Sequence, residues 1–145
     1  MGNIYSPQAM TTKQKNLIGW IFRIAAAAIL LQTLFYKFTA APESVYIFST
    51  LGMEPWGRVG IGAMELVASV LLIIPGATVF GAGLAIGLMS GAIFFHLTKL
   101  GLVVQNDSGL LFAYACTVLF CCSVLVFMDK AKLFFIIMKL KKKLF

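Results

Sequence analysis

The stretch PWGRVGIGAMELVASVLLII, residues 55–74, decides the fold because it is an apolar segment with one carboxylate, Glu65, near its middle. At 1.5 Å per residue, about 20 helical residues cross the roughly 30 Å hydrocarbon core of a bilayer. A charge at the bilayer centre costs at least about 2.5–3.5 kcal/mol, so a span that keeps one normally turns it toward a partner or a wet cavity. We therefore expect Glu65 to face the interior of a helical bundle.

The composition is that of an integral membrane protein. Of 145 residues, 61% are hydrophobic and only 12% are charged, which excludes an ordinary soluble domain. The net charge is +7, but the basic residues gather outside the apolar runs, so we expect contact with anionic lipid and no nucleic acid partner. Cys116, Cys121 and Cys122 share one apolar run with no CxxC and no metal-like spacing to the single histidine, so we predict buried thiols and no metal site.

The apolar runs predict an all-α fold, a bundle of four transmembrane helices forming one integral membrane domain over residues 1–145. The spans are expected at about 17–36, 55–74, 77–97 and 110–128, with Pro75-Gly76 dividing the second from the third. Between the first two spans, Pro42 can open a short helix and Gly52 can end it, which predicts an outward-facing helical hairpin. Residues 129–145 are read as a basic tail, in contact with anionic lipid.

An even number of spans places both termini on one side, and the basic residues indicate which side. The terminal side carries eight lysines: Lys13, Lys15, Lys130, Lys132, Lys139, Lys141, Lys142 and Lys143. The other side carries Lys37, Arg58 and Lys99. Because positive charge accumulates on the cytoplasmic side, we predict a multi-pass protein of the cell inner (cytoplasmic) membrane with both termini in the cytoplasm.

Arg23 and Glu65 are the two charges inside predicted spans, and their depths allow them to pair. In the alternative, Arg23 extends to the cytoplasmic surface, and Glu65 is protonated or bonded to a hydroxyl or amide such as Gln32 or Ser90. A structural pair and a proton or ligand role both remain open.

His96 is expected at the outward end of the third span, near the levels of Lys37 and Lys99, which predicts a polar vestibule on the outward side. The alternative is an interfacial histidine that binds a backbone carbonyl. The candidates for a buried polar or ligand site are Arg23, Gln32, Lys37, Glu65 and His96.

Gly83, Gly87 and Gly91 form a GxxxGxxxG face that lets another helix approach closely in lipid. We favour packing within the chain, because a four-helix bundle needs such a seam. A homo-oligomer is the alternative.

The chain resembles the DoxX-like family of small four-helix membrane proteins over residues 17–102. The resemblance is carried by Arg23, FYKF around Lys37, LGMEP, GIGAMEL with Glu65, LLIIPG and LMSGAIFFHLTKLG with His96. It implies a compact bundle and little chemistry, and no residue here matches a proven catalytic position. Some relatives are named as subunits of thiosulfate:quinone oxidoreductases, so the resemblance also implies contact with quinone or with a membrane redox partner.

Three classes of function follow. The favoured one is an accessory or quinone-associated component of membrane redox metabolism, in which Glu65 and His96 would hydrogen-bond quinone oxygens. The second, a small carrier or proton-linked channel, uses the same ionisable residues but lacks an evident inverted repeat. The third is a noncatalytic scaffold for a membrane partner, since the sequence offers no redox cysteine pair and no nucleophile arrangement.

Overall fold

The computed structural model describes residues 10–130, Phe134, Met138 and Lys139. Its helices are α1 (Thr12–Phe38), α2 (Pro42–Thr50), α3 (Trp56–Ile73), α4 (Thr78–Phe95) and α5 (Leu110–Met128). Within the described residues no strand is present, and four helices, all but α2, are long and apolar enough to cross a membrane. The predicted all-α fold with four transmembrane helices is therefore confirmed.

The first span begins earlier than the residue predicted from hydropathy. Thr11 and Gln14 form a capping box, in which the Thr11 hydroxyl accepts from the Gln14 N–H and the Gln14 side chain accepts from the Thr11 N–H. Because this cap satisfies otherwise free N–H groups, α1 starts at Thr12 and runs for 27 residues.

The predicted helical hairpin between the first two spans consists of one helix, α2, and a return turn. Pro42 lies in the first turn of α2, where its missing N–H is not needed. Gly52 follows the helix with a φ of +71°, a conformation that favours glycine. Ser44 and Phe48 are the buried residues of α2 and hold it against the bundle.

The four long helices form a closed ring of contacts in the order α1, α3, α4, α5 and back to α1. Small residues fill much of the core, which lets the backbones approach closely in the absence of a hydrophobic driving force between helices. They include Ala26, Ala27, Ala68, Ala82, Ala85, Ala115 and Cys122. As predicted, Cys121 and Cys122 are buried thiols, whereas Cys116 is half-buried.

The tightest contact between α3 and α4 is at Gly81, just after the Pro75-Gly76 turn. A Cβ atom at Gly81 would lie 2.7 Å from the Leu72 nitrogen and 2.9 Å from the Ala68 carbonyl oxygen. Both are backbone atoms, so this position requires glycine. It did not stand out from the sequence, because Gly81 lies outside the GxxxGxxxG repeat.

The predicted packing of Gly83, Gly87 and Gly91 within the chain is wrong. Cβ atoms built at these three glycines meet no other helix or side chain of the described chain within 4 Å. Gly83 and Gly87 are exposed and Gly91 is half-buried. A repeat of small residues shows that a face is smooth, but it does not show which way the face points.

Candidate ligand-binding cavity

A cavity of about 410 Å³ lies in the half of the bundle that carries α2, which we call the α2 half. All five helices contribute to its wall, and α2 covers it at the end of the bundle. Apolar side chains line most of the wall. The polar side chains on it are Gln32, Thr33, Tyr36, Lys37, Glu43, Ser44, Glu65, His96, Asp107 and Tyr114.

The centre of the polar part of the wall is a buried ion pair between Lys37 and Glu65. The Lys37 Nζ lies 2.9 Å from Glu65 Oε2, and the two side chains are only 14% and 4% exposed. Thr33 Oγ1 lies 3.1 Å from the same carboxylate oxygen and 2.8 Å from the Leu30 carbonyl oxygen. Thr33 and Lys37 are four residues apart and so lie on one face of α1. That spacing was the signal by which Thr33, missed in the sequence, could have been found.

Glu65 therefore faces the bundle interior, but its predicted pairing with Arg23 is wrong. Arg23 approaches Asp129 at 3.9 Å and its guanidinium lies 5.2 Å from the Trp20 ring centroid. Lys37 and Arg23 are about 21 Å apart along α1, so Arg23 belongs to the opposite half of the bundle. The prediction failed because Lys37 was placed at the membrane surface, whereas its long side chain turns inward.

A close approach of α1 and α3 brings Lys37 to Glu65. A Cβ atom at Gly62 would lie 3.5 Å from Lys37 Cβ and 3.3 Å from the Phe38 ring. Gly62 is one turn before Glu65, so the absent side chain lets the last turn of α1 lie against α3 at this level. The same contact orients both members of the ion pair.

Arg58 holds the end of α1 in this position. Arg58 Nη2 lies 2.7 Å from Glu54 Oε1, and Arg58 Nε donates to both oxygens of that carboxylate. Arg58 Nη1 also donates to the Lys37 carbonyl oxygen, one of the carbonyls at the helix end that lacks a partner within the helix. Arg58, assigned to the outward surface from the sequence, is thus a buried residue that joins α1 to α3.

The other expected partners of Glu65 lie elsewhere. Gln32 Nε2 donates to the Tyr114 hydroxyl at 3.4 Å, which bridges α1 and α5 at the edge of the cavity. Ser90 is exposed on α4 and does not line the cavity. Tyr114 was not predicted, because one tyrosine in the apolar run of α5 has the pattern of a packing residue.

His96 combines the two alternatives considered from the sequence. Its Nδ1 lies 2.8 Å from the Gly101 carbonyl oxygen, and its side chain also lines the cavity. Because a carbonyl oxygen only accepts, Nδ1 carries the proton of the neutral ring and Nε2 is left as an acceptor. His96 begins a π-helical turn, His96–Leu100, a distortion often found at functional sites.

Asp107 fixes the loop that follows. Its carboxylate accepts from the N–H groups of Val104, Gly109 and Leu111 at 2.8–2.9 Å. Burial raises the pKa of Asp107, but these three hydrogen bonds from backbone N–H groups outweigh that effect and lower the pKa. Asp107 therefore stays ionised near neutral pH and anchors the start of α5 beside the cavity.

The arrangement is suited to binding an amphipathic molecule. The Lys37 ammonium group, the imidazole of His96 and the four hydroxyl groups of Thr33, Tyr36, Ser44 and Tyr114 offer hydrogen bonds on the polar part of the wall, while most of the remaining lining is apolar. The volume lies within the roughly 300–1,000 Å³ of sites for small molecules.

The model of the DoxX-like family matches residues 21–127. The matched region contains Arg23 and all the polar residues of the cavity wall. No curated protein and no solved structure is significantly similar to the chain.

Proposed function

We propose that the chain, which belongs to the DoxX-like family of membrane proteins, binds a membrane quinone in the α2-half cavity. It would act as an accessory component of membrane redox metabolism, with its single membrane domain serving a redox partner. The observation that carries the proposal is the Lys37–Glu65 ion pair, which is buried in the wall of a cavity large enough for a small molecule.

A buried ion pair needs an explanation other than stability. The cost of removing two charges from water often exceeds their attraction, so apolar residues of the same size commonly give an equally stable protein. An ionisable group at membrane depth is by default a functional candidate. A role in binding accounts for a pair kept at the wall of the cavity.

The chemistry of a quinone matches the wall. A quinone has two carbonyl oxygens that accept hydrogen bonds and an apolar ring. The Lys37 ammonium has three donors, of which Glu65 uses one, and Tyr114 has a hydroxyl hydrogen to donate. The reduced quinol instead donates, and His96 Nε2 is then the matching acceptor.

The test is mass spectrometry of the small molecules that co-purify from native membrane. We expect quinone to be enriched over bulk lipid with the unaltered protein and lost with the double variant Lys37→Met/Glu65→Leu. The double variant is preferred to single changes because it leaves no buried charge without a partner. Arg23→Gln is the matched control, because Arg23 is a charged residue of α1 that does not line the cavity.

Other outcomes would change the conclusion. Equal quinone with the unaltered protein and the double variant would refute binding at this pair. A stoichiometric protein partner with no enriched small molecule would favour the noncatalytic scaffold. The carrier or proton-linked channel is less well supported, since transporter sites typically use broken helices and α3 is continuous through Glu65.

We further propose that the α2 half faces outward from the inner membrane and that both termini are cytoplasmic. Because Lys37 and Arg58 turn inward to carboxylates, Lys99 is the one lysine or arginine among residues 37–110 that forms no ion pair. On the opposite side, Lys13 and Lys15 precede the apolar part of α1, and Lys130 follows α5. This distribution fits the positive-inside rule. The basic tail, most of which lies outside the described residues, would contact anionic lipid.

A further inference from the structure

We infer that the cavity opens sideways into the lipid beside Gly87 and Gly91 of α4, and that the hydrophobic tail of the ligand leaves through this opening. The inference rests on the proposed function and adds to it the class of ligand: an amphiphile with a polar ring and a long apolar tail. We call the opening the glycine window.

Gly87 and Gly91 point away from the core of the bundle. Ala85 and Met89 are buried and mark the face of α4 that points to the core. At 100° per residue, Gly87 and Gly91 lie on the side of the helix away from that face. Both nevertheless line the cavity. The cavity therefore continues past the edge of α4 toward the surface that lipid covers.

At both glycines, this edge of α4 is open. A Cβ atom at Gly87 or Gly91 would have no other helix or side chain of the described chain within 4 Å. Gly87 is exposed and Gly91 is half-buried. Because Gly87 and Gly91 have no side chains, the cavity wall has a gap here, and a larger residue at either position would narrow it.

Along one row of α4, the packing against α3 differs between the two ends. Gly81, Leu84, Leu88 and Gly91 follow one another at spacings of three or four residues and so form one row along α4. At Gly81 this row touches the α3 backbone, whereas a Cβ atom at Gly91 would meet no other helix or side chain of the described chain within 4 Å. The row therefore packs on α3 at the Pro75-Gly76 end and leaves a gap between α3 and α4 in the α2 half. The window lies in the gap between them.

The size of the cavity limits how much of a ligand it can hold. A volume of about 410 Å³ holds a substituted ring and a few carbons, not an extended polyisoprenoid chain. A tailed ligand whose ring reaches Lys37 must therefore place most of its tail outside. Through the glycine window the tail enters the hydrocarbon core of the bilayer, where its apolar surface is removed from water.

The test compares two probes on the protein in lipid nanodiscs: a dimethoxy-methyl-benzoquinone without a tail and the same ring with a ten-carbon alkyl tail. In Gly91→Leu and Gly87→Leu we expect the tailed probe to bind at least about tenfold more weakly, while the tailless probe changes less than about twofold. Gly83→Leu is the matched control. It places the same side chain on the same exposed helix, one turn outside the cavity lining.

The outcomes separate this inference from the proposal on which it rests. Undiminished binding of the tailed probe in both variants, or an equal loss for both probes, would overturn the glycine window and leave ring binding in place. If neither probe binds the unaltered protein, the proposed function fails and the window fails with it. If the Gly87→Leu and Gly91→Leu proteins have the same helical circular dichroism signal and the same elution volume in size-exclusion chromatography as Gly83→Leu, their loss of probe binding does not come from unfolding.

Discussion

Lys37 shows how neighbouring residues determine the role of a charged side chain. At the end of an apolar run it has the sequence pattern of a surface anchor, but in the structure its side chain turns inward and is only 14% exposed. Arg58 binds its carbonyl oxygen, Gly62 lets its helix approach α3, and Glu65 receives its ammonium group at 2.9 Å. The position of the charge thus depends on three residues of α3. It could not be deduced from the spacing of residues within α1.

The first prediction at this scale is energetic coupling between Lys37 and Glu65. Lys37→Met or Glu65→Leu alone leaves one buried charge without its partner, so each should lower the free energy of unfolding by about 3–5 kcal/mol. The loss of unfolding free energy in the double variant should be smaller than the sum of the two single losses by about 1–3 kcal/mol. Reversible unfolding in mixed detergent micelles measures all four proteins. Strict additivity would show that the two residues do not interact.

The residue pattern allowed part of the site to be predicted. An acid in the middle of a span must face the interior, and Glu65 does, because the cost of exposing it to lipid does not depend on details of packing. Its partner could not be deduced in the same way. Arg23 and Lys37 lie about 21 Å apart along α1, and which of them meets Glu65 depends on the relative shift of α1 against α3.

At the scale of the helices, Gly81 and Gly83 differ in whether their positions can accept a side chain, although they are only two residues apart. Gly81 contacts the backbone of α3, and Gly83 has open space where its side chain would be. We expect Gly81→Ala to destabilise the protein by about 1–3 kcal/mol, because two packed backbones cannot move apart locally. Gly83→Ala should be neutral or slightly stabilising, since alanine is the better helix former. Thermal unfolding in detergent compares the two, and an equal effect would refute the assigned contact.

The number of spans and their division at Pro75-Gly76 could be predicted, since bilayer thickness and proline chemistry limit helix length. The glycine repeat of α4 was misassigned to internal packing because periodicity reports only that three residues share a face. Gly76, with a φ of +91°, and Gly81 instead bring α3 and α4 together at the turn. Contact there leaves the other half of the bundle open for the cavity.

As a whole molecule, this member of the DoxX-like family is a multi-pass membrane protein with two unlike halves. Around the Pro75-Gly76 turn, small residues close the bundle. In the α2 half, the helices separate around a cavity whose polar groups come from α1, α2, α3 and α5, from the π-helical turn after α4 and from the loop before α5. The proposal that the bundle presents a ligand site on one side of the membrane follows from this asymmetry.

The proposed orientation can be tested with single cysteines in a protein that lacks the three native ones. Ser49→Cys lies on exposed α2 and Lys13→Cys lies in the exposed first turn of α1. An impermeant thiol reagent applied to spheroplasts should label Ser49→Cys alone, and both positions after permeabilisation. Labelling of Lys13→Cys in intact spheroplasts would contradict cytoplasmic termini.

The most direct measurement of the central claim is photolabelling with a benzoquinone that carries a diazirine on its ring, followed by peptide mass spectrometry. If the ring binds beside the Lys37–Glu65 pair, adducts should form on cavity residues such as Tyr36, Phe95 and Tyr114, and unlabelled quinone should suppress them. Adducts confined to lipid-facing residues such as Phe120 and Phe127, with no suppression by unlabelled quinone, would contradict a binding site in the α2 half.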